Sequence, residues 1–152
     1  MKLLPLALVL TPFASAQVGT VVRELKINEA RGGFVGDLQR NEEFGVALAR
    51  LGDIDSDGIT DLAVGAPYDD DGGVGRGAVW ILRLNADGSV KANAKISQTS
   101  GGFAGTLDNA DLFGTSLAAL GDLDGDGITE LAVGAPLDDD GAALSRSATA
   151  RS

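Results

Sequence analysis

An internal repeat limits what this 152-residue chain can become. Gly32-Gly33-Phe34 recurs as Gly101-Gly102-Phe103, and Phe44-Gly45 as Phe113-Gly114. At the same offset, Asp53 recurs as Asp122 and Gly65-Ala66-Pro67 as Gly134-Ala135-Pro136. About two-thirds of positions are identical between residues 32–72 and 101–141, far above chance at a fixed period. A period of this size implies one supersecondary unit per repeat, each stacked on its neighbour.

Hydropathy divides the unit into four short strands. Gly45 to Leu51 is apolar on both faces, so both faces should be covered. Leu62 to Ala66 is a continuous apolar run, the pattern of a doubly buried strand. Ala78 to Leu84 is rich in β-branched and aromatic residues. Asn85-Ala86-Asp87-Gly88 reads as a hairpin loop, after which Val90 to Ile96 alternates apolar and polar residues. On that alternation, Lys91 and Lys95 guard a half-exposed edge. Four such strands predict an all-β chain of antiparallel β-propeller blades. A β-sandwich is the rival, but it does not call for repeated identical blocks.

Each unit carries an acidic loop between its first two strands. The loops are Asp53-Ile54-Asp55-Ser56-Asp57-Gly58-Ile59-Thr60-Asp61 and Asp122-Leu123-Asp124-Gly125-Asp126-Gly127-Ile128-Thr129-Glu130. Carboxylates stand at loop positions 1, 3, 5 and 9, with glycine at 6. Two carboxylates about 4 Å apart repel by about 4 kcal/mol at an effective dielectric near 20. Four in one small loop therefore call for a cation. Calcium takes six to eight oxygens, and the position-7 carbonyls of Ile59 and Ile128 are natural backbone ligands. Exposed turn aspartates that point apart are the alternative. The loops are not EF-hands, because position 12 holds Val64 and Val133 where a bidentate Glu is required.

The Phe-Gly, acidic-loop and Gly-Ala-Pro blocks together resemble the FG-GAP repeat, which builds the β-propeller of integrin alpha subunits and occurs in bacterial secreted proteins. The resemblance covers most of residues 20–141. It implies about two Ca2+ sites, one on Asp53, Asp55, Asp57, Ile59 and Asp61, the other on Asp122, Asp124, Asp126, Ile128 and Glu130. Glu130 departs from the usual Asp at position 9. It keeps the charge and adds a methylene.

The N-terminus has the three parts of an export signal: Met1-Lys2, an apolar stretch Leu3 to Phe13, and Ala14-Ser15-Ala16. The expected domain order is a signal peptide over 1–16, cut after Ala16, and an edge strand of a preceding unit over 17–31. A first repeat over 32–100, a second, incomplete repeat over 101–141 and an unstructured tail over 142–152 follow. Gly77-Ala78-Val79-Trp80 has no counterpart where the period would place it, so the expectation is an incomplete propeller of one and a half to two blades on a truncated chain.

Composition narrows function. Without Cys or His there is no zinc finger, no Cys nucleophile and no Ser-His-Asp triad. With 22 acidic against 12 basic residues and a net charge of -10, the chain is unsuited to nucleic acid, and no stretch predicts a membrane span. A secreted or cell-surface, non-catalytic module for adhesion or extracellular recognition follows from the resemblance, with a protein or glycan ligand. Self-association through an open sheet edge is a further expectation. Alternatives are a structural surface or matrix protein, an accessory module of a secreted hydrolase, and a two-carboxylate hydrolase. Asp69-Asp70-Asp71 and Asp138-Asp139-Asp140 read as solvated turns, with a supplementary cation or partner contact as the alternative, and Trp80 reads as core.

Overall fold

The computed structural model describes residues 24–39, 41–139 and 147–151. The proposed signal peptide and cleavage point lie outside the described residues. All regular structure is β. Strands β1 (Leu48–Gly52), β2 (Asp61–Ala66), β3 (Ala78–Leu84) and β4 (Val90–Ile96) form one antiparallel sheet in chain order. Strands β5 (Ser116–Gly121), β6 (Glu130–Gly134) and β7 (Ser147–Arg151) form a second antiparallel sheet. The repeat is visible in the pairing, since Leu48 opposes Val64 just as Leu117 opposes Val133.

The apolar pattern of β2 and β3 places a core on each side of the first sheet. Ala63, Val79 and Ile81 face the second unit, where they meet Phe113, Leu131 and Val133. Val64, Trp80 and Leu82 face the opposite way and are covered by Phe34, Phe44 and Leu38 from the segment before β1. Trp80 is buried, as its position in an apolar strand predicts, and packs edge-on against Phe34 with ring centroids 4.8 Å apart. The Phe34–Phe44 pair recurs one period later as Phe103–Phe113, with centroids at 5.4 and 5.1 Å.

The two units meet at a close backbone crossing. Phe113 is fully buried, and its backbone forms a parallel bridge to Gly77. A Cβ on Gly65 would collide with the carbonyl oxygen of Gly114, and a Cβ on Gly77 with the backbone of Phe113. Gly114 itself has φ +94, in the region that favours glycine. The Phe-Gly block of one unit thus fits only where the preceding unit lacks side chains.

Three expectations need correction. β1 begins at Leu48, not Gly45, because Gly45 at φ +98 belongs to a turn. Only its Ala49 and Leu51 face is buried; Val46 and Leu48 remain exposed, since the covering segment lies over β2–β4 and not over β1. Residues 24–27 of the expected N-terminal edge strand form no strand, and the nearest pairing is the isolated Asn28–Arg31 bridge. The tail was expected to be unstructured, yet 147–151 pairs along β6 from Glu130–Arg151 to Gly134–Ser147. Its Ser-Ala-Thr-Ala-Arg sequence has no apolar pattern. The free backbone groups of β6 supply the partner instead. That pairing also takes up the β6 edge on which self-association was expected to depend.

Phe113→Ala should lower the unfolding free energy by about 3–5 kcal/mol in urea denaturation, as for a buried aromatic truncated at a tight seam. Val35→Ala, at a residue 77% exposed, should change it by about 0.5 kcal/mol or less. Equal effects would contradict the seam.

Candidate metal centres

Both acidic loops turn at the same end of their sheets and lie side by side. A cleft of about 120 Å³ between them is lined by Asp53 and Ile54 of the first loop and by Gly127, Ile128 and Thr129 of the second. In the first loop, Asp53 folds the turn onto itself. Its Oδ1 accepts from Asp57 N at 3.0 Å and its Oδ2 from Gly58 N at 2.7 Å. Asp57 Oδ1 accepts from Ile59 N at 2.9 Å. The second loop repeats this. Asp122 Oδ1 accepts from Gly125 N and Asp126 N, Asp122 Oδ2 from Gly127 N, and Asp126 Oδ1 from Ile128 N. Gly58 and Gly127 take φ +86 and +85, which lets the chain reverse beneath the carboxylates.

This folding brings acids together. Asp53, Asp55 and Asp57 each offer an oxygen within 4.8 Å of the others, and so do Asp122, Asp124 and Glu130. The remaining expected ligands are placed differently. Asp61 is fully buried, and its two oxygens accept from Ile54 N at 3.0 Å and Leu84 N at 2.9 Å. It therefore ties the loop to the end of β3. Asp126 stands outside the second trio, with its Oδ1 on Ile128 N. Glu130 occupies the position of Asp61 but reaches further: Oε2 accepts from Leu123 N at 2.6 Å, while Oε1 is buried with no hydrogen-bond partner. The extra methylene carries an oxygen into the trio. Asp55 Oδ1 is likewise buried without a hydrogen-bond partner. Convergent, all-oxygen donors with unsatisfied buried lone pairs fit a hard divalent cation.

Two lysines complete the electrostatics, and both come from β4. Lys91 Nζ lies 2.9 Å from Asp55 Oδ2 and 2.6 Å from Asp57 Oδ2. The Lys91 hydrogen bond holds the Asp57 carboxyl below the usual range, and the two aspartates push the Lys91 ammonium up. Lys95 Nζ lies 2.7 Å from Asp69 Oδ2 and 5.4 Å from the Trp80 ring centroid. Between them, Asn93 clasps the Val35 backbone through both amide atoms. The polar face of β4 is thus occupied, where alternation alone predicted an edge guarded by lysines. Sequence reading missed these partners because a charged alternate position looks the same whether it faces solvent or a distant acid.

Asp69-Asp70-Asp71 is not the solvated turn expected. Asp69 is buried against Lys95, and Asp71 accepts from the hydroxyls of Ser97, Thr99 and Ser100. Only Asp70 is exposed, and it accepts from Gly75 N. Asp138 and Asp139 are the described members of the second run, and Asp140 lies outside the described residues.

Paired antiparallel sheets, repeated in register with an acidic hairpin loop in each, define an all-β protein of propeller-blade repeats. The FG-GAP repeat family model matches two stretches of the chain, residues 44–82 and 113–145, one in each unit. The chain is 41% identical to integrin alpha-5 of Xenopus laevis over 98 residues, which is 64% of this chain. It is 38% identical to integrin alpha-PS5 of Drosophila melanogaster over 104 residues and 39% identical to integrin alpha-2 of Mus musculus over 97. Those alignments span 9%, 9% and 8% of the three relatives.

The acid-side prediction concerns Asp71. Hydrogen bonds from Ser97 and Thr99, with Lys95 adding attraction, hold its carboxyl down at about 2 against an ordinary 3.8. A depressed carboxyl stabilises the fold above its ordinary range, and that stabilisation is lost as pH falls through about 2. Glu42 and Asp111, raised by burial, act with the opposite sign, so the test compares a variant with the parent. In urea melts between pH about 4 and about 2, Asp71→Asn should lose less stability than the parent chain. Parallel losses would contradict this role.

Proposed function

We propose that this chain is a secreted, non-catalytic FG-GAP segment whose two acidic loops bind calcium, and that it serves adhesion or extracellular recognition. The observation that carries the calcium reading is the second loop. There Asp122, Asp124 and Glu130 converge, and a buried Glu130 oxygen has no hydrogen-bond partner. The first loop supports it with the same fold and its own convergent trio. Asp53, Asp55 and Asp57 form one ligand core, and Asp122, Asp124 and Glu130 the other. The Ile59 and Ile128 carbonyls complete the sets, together with Asp126 and with Asp61 through lone pairs left over from its amide bonds.

Calcium here is structural. It relieves repulsion among carboxylates that the hairpin turn forces together. Adhesion or recognition rests on the integrin alpha relatives, and the ligand class it suggests is an extracellular protein or glycan. The sequence of Met1 to Ala16 supports export. Among the described residues no helix is long and apolar enough to cross a membrane. A non-catalytic reading is supported by the employment of the clustered acids in loop folding and ion pairing.

Calorimetric titration of calcium into the chelator-treated chain should show about two saturable sites with Kd of about 10⁻⁴–10⁻³ M. At ten times Kd, each should add about 1.4 kcal/mol to the unfolding free energy. Asp53→Asn with Asp55→Asn should abolish one site, and Asp122→Asn with Asp124→Asn the other. No binding heat up to tens of millimolar would overturn the proposal.

A further inference from the structure

Lys91 stands where an ion would compete for ligands. Its ammonium contacts Asp55 Oδ2 and Asp57 Oδ2, which belong to two of the three carboxylates that converge in the first loop. Calcium binds carboxylate oxygens at about 2.3–2.6 Å and gathers six to eight of them. An ammonium 2.9 and 2.6 Å from those oxygens competes with it, because the two cations repel and share the same carboxylates. The lysine is free to leave. It is 42% exposed, sits on a flexible four-carbon stem and enters from the start of β4, in a different hairpin from the loop.

We propose that Lys91 is a tethered counter-cation of the first loop, neutralising Asp55 and Asp57 when calcium is scarce and swinging out when calcium enters. This rests on the calcium reading above. Asp55 Oδ1, buried and without a hydrogen-bond partner even with Lys91 in place, is where an incoming ion first finds an open lone pair. Two consequences follow. The first loop keeps its fold without calcium, and its calcium affinity is lowered by the cost of breaking the ion pairs. For an exposed pair that cost corresponds to about fivefold in Kd. The second loop is the internal reference, since Lys91 contacts none of its acids among the ion pairs of the described residues.

The test is a calcium titration of the full chain followed by NMR, in the parent and in Lys91→Met, which keeps the stem and removes the charge. The amides of Gly58 and Gly127, which donate to Asp53 and Asp122, report the two loops separately. Lys91→Met should tighten the Gly58 midpoint about fivefold and leave the Gly127 midpoint unchanged. In the parent, the Lys91 side-chain Cε resonance should move in step with Gly58. This second readout decides the matter if the variant fails to fold. A Gly58 midpoint unmoved by Lys91→Met, or a Lys91 resonance that stays still while Gly58 titrates, would overturn the counter-cation with the calcium reading intact. If neither glycine responds to calcium, the calcium reading itself fails and this proposal falls with it.

Discussion

Phe113 and Gly114 cross Gly65 and Gly77 so closely that no side chain fits between the two backbones, and the arrangement of both units follows from that contact. The buried Phe113 ring fills the space between the sheets beside Val79, Ile81 and Leu131. Gly114 N donates to Gly134 O, as Gly45 N donates to Gly65 O one period earlier. The Phe-Gly turn of each unit is therefore pinned to its own Gly-Ala-Pro strand, and in the second unit also to the strands of the unit before. Packing at native density leaves such a seam little room to shift. With the seam set, the two β1–β2-type loops must emerge side by side at one end, where they share a cleft.

That placement sets an electrostatic problem, and the structure answers part of it with two kinds of positive partner. Backbone amides neutralise Asp53, Asp61 and Asp122 locally, at the N–H groups the hairpin turn would otherwise leave unpaired. Lysines on β4 neutralise Asp55, Asp57 and Asp69 across the sheet. What remains are carboxylate oxygens that converge and, at Asp55 and Glu130, lack a hydrogen-bond partner. The difference between Asp61 and Glu130 is instructive. The shorter acid gives each of its oxygens to an amide, one of them from the end of β3, whereas the longer acid meets one amide and offers an oxygen within 4.8 Å of those of Asp122 and Asp124.

Much of this was legible in the residues. β2, β3 and β4 fall where the apolar runs and the Asn85–Gly88 turn put them, because a doubly buried strand between tight turns has few other readings. The two FG-GAP repeats were legible through blocks whose role is steric, since a glycine required by a neighbouring backbone leaves a clear mark in sequence. Other features left no such mark. β7 pairs with β6 along the backbone, and its Ser-Ala-Thr-Ala-Arg sequence carries no apolar pattern that announces a strand. The exposed face of β1 is apolar but uncovered, so hydropathy overstated its burial. Lys91 and Asp57, or Lys95 and Asp69, meet only after the sheet has formed, and neither spacing nor alternation announces which acid a lysine will find. The site was legible as a pair of acidic loops. Which acids converge, and which are spent on amides, needed coordinates.

A crystal structure grown in millimolar calcium would test the central claim most directly. Anomalous density should mark one ion among Asp53, Asp55 and Asp57 with the Ile59 carbonyl, and one among Asp122, Asp124 and Glu130 with the Ile128 carbonyl, each at about 2.3–2.6 Å. Loops that keep their fold and hold no ion under those conditions would contradict the account.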